Sequence, residues 1–355
     1  RYSTQIYRCV CVICKLKMQQ QFIYEQAFGL EQGGELSRLE ISYCTYGQLN
    51  HDKSNVVWVC HALTANADVS DWWPGMVGKG FAIDPGKYFI VCANIIGSCY
   101  GSSGPLSIDP STGEPYYSSF PHINIRDMVH AHILLRKHLQ IDSIQLLVGG
   151  SMGGYQALEW ALMEPARIRR LFLLATSPAE SAWGIAVHTA QRLALTADPT
   201  WNSHSADAGK NGIKAARAIG MLTYRNYSIM VKTQSDDTAR LKDHKAASYI
   251  HYQGEKLAAR FNAYSYWLLT KAMDTHHIAR NRNASIDELL KTMQQPTLII
   301  GISSDILCPV VEQQHMAAVI PDATFIEIDS VYGHDGFMVE TQKIAAAFNS
   351  WMNEC

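Results

Sequence analysis

The stretch IQLLVGGSMGG, residues 144–154, decides the fold of this chain. Its apolar first half predicts a buried strand, which runs directly into Ser151 between two pairs of glycines. Helix-compatible residues follow, among them Leu158 and Trp160. A serine between a strand and a helix sits in a tight turn, which needs small neighbours because the two elements pass closely. The stretch therefore predicts a nucleophile elbow that lifts the Ser151 hydroxyl above the edge of a sheet.

Strand-length apolar runs continue on both sides of this turn, at residues 36–46, 56–60, 88–93, 171–175, 297–300 and 324–328. Helical segments alternate with these runs, including residues 125–138 and 155–163. Such alternation is typical of a doubly wound, mostly parallel sheet. Together with the nucleophile elbow, it predicts the α/β-hydrolase fold.

The series of strand-length apolar runs stops after Ala175 and resumes only near Thr297. The interval contains helix-compatible stretches at residues 213–224 and 239–247. We therefore expect a helical lid at residues 177–285, inserted into a core formed by residues 18–176 and 286–355. We expect residues 1–17 to be a disordered extension, with Met18 as a plausible natural start.

Composition narrows the class of protein further. The 355 residues are 47% hydrophobic, and 30 Lys and Arg against 32 Asp and Glu leave a net charge of −2. A chain without a basic excess is poorly suited to nucleic acid, and its apolar runs are too short to span a membrane. The nine cysteines favour a reducing cytoplasm. Residues 9–14 hold three of them without the further ligands of a zinc site, so we expect no metal.

A serine hydroxyl becomes a nucleophile when a base removes its proton and an acid orients that base. In this fold the order along the chain is serine, acid, histidine. Asp305 follows the strand at 297–300, and His334 follows the strand at 324–328, so both lie at strand ends where such sites form. Asp329 and Asp335 are alternative acids. The sequence predicts a triad of Ser151, Asp305 and His334.

Acyl transfer also needs backbone N–H groups directed at the developing oxyanion. We expect one from Met152, directly after the nucleophile, and one from Leu63 in the loop after the strand at 56–60. His61 precedes Leu63 by two residues. Its early position in the chain favours a role in shaping that loop over a role as catalytic base.

Several motifs carry a more specific resemblance. They are HALT at 61–64, NIIGSCYGSSGP at 94–105, FP at 120–121, IRDM at 125–128, the elbow at 149–154 with QALEW at 156–160, LTYR at 222–225 and GHDGF at 333–337. Over roughly residues 25–352, this set resembles the homoserine O-acetyltransferase family. The segment ending at Gly104-Pro105 and the pair His334-Asp335 are not general features of the fold.

The resemblance implies a ping-pong reaction without a bound cofactor. Acetyl-CoA would acylate Ser151, and the hydroxyl of L-homoserine would then collect the acetyl group for methionine synthesis. Arg217 would hold the homoserine carboxylate, Asp335 its ammonium, and Tyr224 would line the same pocket. A guanidinium fork matches a carboxylate well. The resemblance also implies a homodimer built through the lid.

Three other functions remain open at this point. Succinyl-CoA and serine are the donor and acceptor of related acyltransferases. An esterase would use the same triad with water as acceptor. A ligand-binding module on this fold is a third reading, against which the complete set of Ser151, Asp305 and His334 argues, since fold alone does not fix function.

Overall fold

The structure, a computed structural model, describes residues 17–354. Ten strands form a large sheet and a small separate hairpin. They are β1 (Lys17–Tyr24), β2 (Phe28–Gly29), β3 (Glu35–Leu36), β4 (Leu39–Tyr46), β5 (Val56–Cys60), β6 (Phe89–Ala93), β7 (Leu146–Gly150), β8 (Leu171–Leu174), β9 (Thr297–Ile302) and β10 (Ala323–Ile328).

Eight of these strands form one sheet in the order β1-β4-β6-β5-β7-β8-β9-β10, and β2 pairs with β3. The β4 strand is antiparallel to β1 and to β6, whereas every pairing from β6 to β10 is parallel. The predicted mostly parallel sheet of the α/β-hydrolase fold is therefore confirmed. The carboxyl ends of β7, β9 and β10 lie at one edge, where residues after each strand can meet.

Twelve α-helices accompany the sheet within residues 17–354. They are α1 (Val69–Trp72), α2 (Ile125–His138), α3 (Met152–Met163), α4 (Ala182–Thr196), α5 (Lys210–Tyr224), α6 (Tyr227–Gln234), α7 (Lys245–Ala258), α8 (Ala263–Asp274), α9 (Ile286–Thr292), α10 (Val310–Val319), α11 (Gly336–Val339) and α12 (Thr341–Glu354).

The sheet divides the apolar core into two layers. Along β5, Trp58 packs on one face with α2 and α3, while Val57 and Val59 pack on the other with α12. Side chains of a strand alternate between faces, and both faces are covered here, so β5 is apolar throughout. The Trp58 ring packs edge-on against Trp160 of α3, with 5.0 Å between centroids. This packing fixes α3, and with it the turn before the helix.

The helices α4 to α8 lie between β8 and β9, and we call residues 177–285 the insertion. Here one predicted helix is wrong. Residues 239–247 are irregular up to His244, and helix begins only at Lys245. The carboxylate of Asp236 accepts hydrogen bonds from the Lys245 N–H and from the His244 ring, which fixes the segment as a loop. Leu241 projects fully into solvent, so no apolar face supports a helix there.

The first strand was not predicted. β1 begins at Lys17 and pairs with all of β4, from Lys17 opposite Tyr46 to Tyr24 opposite Leu39. Its residues are mostly polar, as in a loop, because an edge strand with one solvated face carries only a weak apolar pattern. The rest of the extension expected at residues 1–17 lies outside the described residues. Between residues 17 and 354, none of the helices is both long and apolar enough to cross a membrane.

Candidate active site

Ser151 occupies the sharp turn between β7 and α3. Its backbone has φ 54° and ψ −129°, a strained conformation for a residue with a side chain. Two glycines allow the turn: a Cβ on Gly149 would lie 2.2 Å from the Gly153 carbonyl oxygen, and one on Gly153 would lie 2.1 Å from the Cys60 carbonyl oxygen. The strand and the helix therefore approach each other as the motif predicts.

The loops after β9 and β10 bring an acid and a histidine to Ser151. The Nε2 atom of His334 lies 2.9 Å from the Ser151 hydroxyl, and Nδ1 lies 2.6 Å from Oδ2 of Asp305. A carboxylate can only accept, so Nδ1–H donates to Asp305 and Nε2 is left to accept the Ser151 proton. All three side chains are buried. The arrangement can deprotonate the serine.

The groups around Asp305 hold its carboxylate in an orientation that faces the His334 ring. Its second oxygen, Oδ1, accepts hydrogen bonds from the N–H groups of Leu307 and Cys308, at 2.8 and 3.0 Å. Burial alone would lower the pKa of His334, but the adjacent Asp305 carboxylate outweighs burial and raises it. The imidazolium that forms when Ser151 loses its proton is thereby stabilised.

The two alternative acids lie elsewhere. Asp329 accepts a hydrogen bond from the Ser303 hydroxyl at 3.3 Å. Asp335 pairs with Arg225, whose Nε lies 2.9 Å from Oδ2. Of the three candidate acids, only Asp305 contacts the His334 ring.

A cavity of about 520 Å³ opens above Ser151. Arg217, Tyr224 and Asp335 line it together with Ser151 and His334, so residues from the core and the insertion meet there. The Arg217 guanidinium lies over the Tyr224 ring, 5.1 Å from its centroid, and that ring lies 6.0 Å from the His334 ring. Burial raises the pKa of Asp335, which Arg225 and Arg217 only partly offset. The cavity thus offers a cation and a buried carboxyl group beside the triad.

The two expected oxyanion donors come from two different segments, the start of α3 and the turn after β5. Met152 is the first residue of α3, so its N–H has no partner within the helix. Leu63 lies in the turn after β5 and lines the cavity. The two residues expected to supply the oxyanion donors thus lie next to Ser151 in the chain and in the lining of the same cavity.

Sequence reasoning missed several polar residues around this cavity. His188 of α4 lines it and pairs with Asp274, with 3.0 Å between Nδ1 and Oδ1. Behind it, Tyr155 donates to Glu180 at 3.1 Å. No motif marks these residues, although Arg225 did stand in the LTYR segment at 222–225.

One group of side chains has the spacing of metal ligands. Atoms of Asp305, Cys308 and His334 lie within 4.8 Å of one another, the one such group found in residues 17–354. Burial raises the pKa of the Cys308 thiol well above its ordinary value, so the thiolate form that binds metals is disfavoured. Asp305 and His334 already contact each other and Ser151. This chemistry suits a proton relay better than a metal site.

Known proteins share both the sequence and the fold. Residues 55–341 match the family model described as alpha/beta hydrolase fold. The chain is 42% identical to a homoserine O-acetyltransferase of Cyclobacterium marinum over 340 residues, which cover 96% of this chain and 97% of that protein. It is 44% identical to a homoserine O-acetyltransferase of Chlorobaculum parvum, with 90% of each chain covered.

Solved structures agree on the fold but not on one activity. A homoserine O-acetyltransferase from Bacillus anthracis superimposes with a TM-score of 0.88 at 23% identity, covering 95% of this chain and 98% of that one. Esterase E22 superimposes with a TM-score of 0.85 at 22% identity, covering 94% of this chain and all of that one. At such identities the likeness shows the fold alone. The sequence relatives are more specific, and by them the chain belongs to the homoserine O-acetyltransferase family of α/β-hydrolase-fold enzymes.

Proposed function

We propose that this enzyme transfers an acetyl group from acetyl-CoA to the hydroxyl of L-homoserine through an acyl-Ser151 intermediate. The observation that carries the proposal is the buried chain from Asp305 through His334 to Ser151, at the end of a cavity that also holds Arg217 and Asp335. The triad supplies the nucleophile, and the two charged residues supply recognition of an amino acid.

In the first half-reaction, the Ser151 hydroxyl attacks the thioester carbon while His334 Nε2 accepts its proton. The carbonyl oxygen gains negative charge, which the N–H groups of Leu63 and Met152 stabilise. The tetrahedral intermediate then collapses. The carbon–sulfur bond breaks, the CoA sulfur takes the proton from His334, and the acetyl group stays on Ser151 as an ester.

In the second half-reaction, the homoserine hydroxyl replaces the CoA thiol. Arg217 binds the carboxylate of the acceptor and Asp335 binds its ammonium, while Tyr224 confines the side chain. Because Arg225 occupies Oδ2 of Asp335, the ammonium would bind Oδ1. His334 Nε2 then accepts the proton of the acceptor hydroxyl, whose oxygen attacks the acetyl carbon. The bond from that carbon to Ser151 Oγ breaks, and His334 returns the proton to the serine.

The proposal extends to assembly and location. Exposed apolar side chains on the insertion, including Trp183, Leu193, Leu222 and Tyr227, support a homodimer that covers them. The cysteines at 60, 92, 99 and 308 form no disulfide, which supports the cytoplasm as the site of the reaction. There the product would feed methionine synthesis. Sedimentation of the purified protein tests the dimer.

Steady-state turnover tests the reaction itself. CoA release is measured with acetyl-CoA or succinyl-CoA as donor, and with L-homoserine, L-serine or no acceptor. We expect acetyl-CoA with L-homoserine to give the highest kcat/KM and a stoichiometric O-acetyl product. CoA release that is equally fast without an acceptor would show a hydrolase instead. A preference for succinyl-CoA or serine would reassign the substrate.

A further inference from the structure

The turn at residues 62–65 carries the Leu63 amide and is held from within by His61. The Ala65 N–H donates to the Ala62 carbonyl oxygen at 3.0 Å, and His61 Nδ1 lies 2.8 Å from the same oxygen. His61 Nε2 accepts from the Ile95 N–H at 3.1 Å, so the ring proton lies on Nδ1 and points at Ala62. Burial lowers the pKa of His61 to about 4, which keeps the ring in this neutral form.

These bonds also set the direction of the Leu63 amide. The peptide between Ala62 and Leu63 is trans, so its C=O and its N–H point in opposite directions. The C=O points at the buried His61 ring. The N–H of Leu63 therefore points away from that ring, and Leu63 itself lines the cavity.

The outer side of the same turn is held by the insertion. Arg260, just after α7, donates from Nη1 to the Thr64 carbonyl oxygen and to the Tyr100 hydroxyl, both at 2.5 Å. Its Nη2 lies 3.4 Å from the Thr64 hydroxyl. Arg260 and Thr64 are 196 residues apart in the sequence, so this contact joins the insertion to the core.

Tyr100 belongs to the motif at 94–105, whose role the triad does not explain. Asn94 Nδ2 donates to the Tyr100 carbonyl oxygen at 2.8 Å, and Asn94 Oδ1 accepts from the Ala67 N–H at 2.7 Å. The motif thus contacts both Arg260 and the segment that follows the turn. A fixed partner for Arg260 makes its contact with Thr64 directional, although the side chain is exposed.

We propose that Arg260 is a positioning residue that holds the turn at 62–65 so that the Leu63 N–H can stabilise the oxyanion. This inference rests on the acyl transfer proposed above and adds a residue of the insertion to it. Preorganised donors stabilise a transition state only when their position is fixed, and a shift of about 1 Å can cost about 100-fold in rate. Loss of Arg260 would release the outer side of the turn, while His61 and the Ala65 N–H would still hold Ala62 from within.

Arg260 also lines the cavity, so a second role has to be distinguished. An exposed guanidinium there could bind the phosphates of CoA. The two roles predict different effects of removing Arg260 when the acyl donor has no phosphates. An activated ester such as p-nitrophenyl acetate needs the oxyanion donors but cannot contact a phosphate site.

The experiment compares Arg260→Ala with the parent enzyme on acetyl-CoA and on p-nitrophenyl acetate. We expect kcat/KM for acylation to fall about 10- to 100-fold with both donors, less than the 10²- to 10³-fold typical of losing a donor outright. Inhibition by a methylboronic acid, whose tetrahedral adduct mimics the oxyanion, should weaken by a similar factor, while CoA binding is unchanged. Arg260→Lys should recover part of the rate, because one ammonium can reach Thr64.

Arg240→Ala is the matched control, since Arg240 is an exposed arginine of the insertion that pairs with Asp236. Arg240→Ala should leave kcat/KM unchanged with both donors. If Arg260→Ala raised the KM for acetyl-CoA alone and spared p-nitrophenyl acetate, Arg260 would be a phosphate contact and the positioning role would be wrong. If the parent enzyme used p-nitrophenyl acetate but did not acetylate homoserine, the proposed function would fail, and the ester assay would still test Arg260.

Discussion

Two histidines line the same cavity, and each pairs with a carboxylate, one on the core and one on the insertion. His334 pairs with Asp305 and His188 with Asp274, and both histidines are buried. The core pair contacts Ser151 through Nε2. The insertion pair has instead a cation behind its acid, because Arg192 lies 2.5 Å from Oδ2 of Asp274.

The difference lies in what each acid binds with its second oxygen. Backbone N–H groups hold Asp305, and they leave its full charge to act on His334. Arg192 neutralises much of the charge on Asp274 and, with His188, lowers the pKa of that carboxyl group despite its burial. We infer that the core pair moves protons and the insertion pair holds α4 against α8. The same two residue types thus serve chemistry or packing according to a third partner.

The largest expected effect removes the nucleophile from the core pair. Ser151→Ala should lower acyl transfer by about 10⁴-fold or more, because no covalent intermediate can form. Turnover and thermal unfolding are measured on the same preparation, which should remain folded. A folded variant with more than a tenth of the parent activity would mean that Ser151 is not the nucleophile.

The next effect contrasts the two acids directly. Asp305→Asn should slow turnover by about 10³- to 10⁴-fold with a modest change in KM, since the His334 ring loses its orientation. Asp274→Asn should keep turnover within about 10-fold but lower the free energy of unfolding by about 1 to 3 kcal/mol, because Arg192 loses its ion-pair partner at a mostly covered site. Denaturant titration measures the stability of both variants, and steady-state kinetics measures their turnover, so the structural effect and the catalytic effect are separated.

Asp329→Asn is the control for this contrast, because Asp329 contacts Ser303 rather than a histidine. It should change turnover little. Should Asp329→Asn prove severe and Asp305→Asn mild, the acid of the triad would have to be reassigned. A severe loss of turnover in a stable Asp274→Asn variant would give the insertion pair a part in the chemistry.

A smaller effect is expected from Arg217, which lies on the insertion side of the cavity. Arg217→Ala should leave the initial burst of CoA release intact, because acylation precedes entry of homoserine. Loss of a charge-assisted hydrogen bond worth about 1.5 to 3 kcal/mol should raise the KM for homoserine about 10- to 150-fold. Rapid-quench and steady-state assays measure the two half-reactions. An unchanged KM, or a variant that cannot be acylated, would contradict this role, and Arg240→Ala again serves as control.

The smallest expected effect concerns Glu312. The negative charges of Glu180 on the insertion and of Asp305 on the core both act on its carboxyl group. Burial and the Glu180 charge raise the pKa of Glu312 from 4.5 to about 7. Between these values the folded state keeps a proton that the unfolded chain has lost, so stability falls as pH rises. At about pH 8, Glu312→Gln should exceed the parent in free energy of unfolding by about 1 kcal/mol, allowing for solvent screening of this half-buried group.

The measurement is denaturant unfolding at two pH values. Near pH 4 both proteins carry a neutral side chain at position 312, so they should be equally stable. An advantage for the variant that is the same at both pH values would point to packing rather than ionisation.

The order of strands and helices could be predicted from local patterns. The helix α2 has the predicted bounds, because Asn124 and Asp127 form a capping box at its start and an apolar face follows. The edge strand β1 and the loop before Lys245 could not be predicted. One depends on pairing with β4, and the other on a single carboxylate at Asp236.

The sequence by itself determined the elbow around Ser151 and the order of serine, acid and histidine, because steric limits at the turn and apolar periodicity act between neighbours in the chain. Only the tertiary structure decided which partner each charged group has: Arg225 for Asp335, His188 for Asp274 and Thr64 for Arg260. His188 and Asp274 are 86 residues apart, and Arg260 and Thr64 are 196 apart. Such pairs leave no local pattern, since they meet only after the insertion has packed on the core.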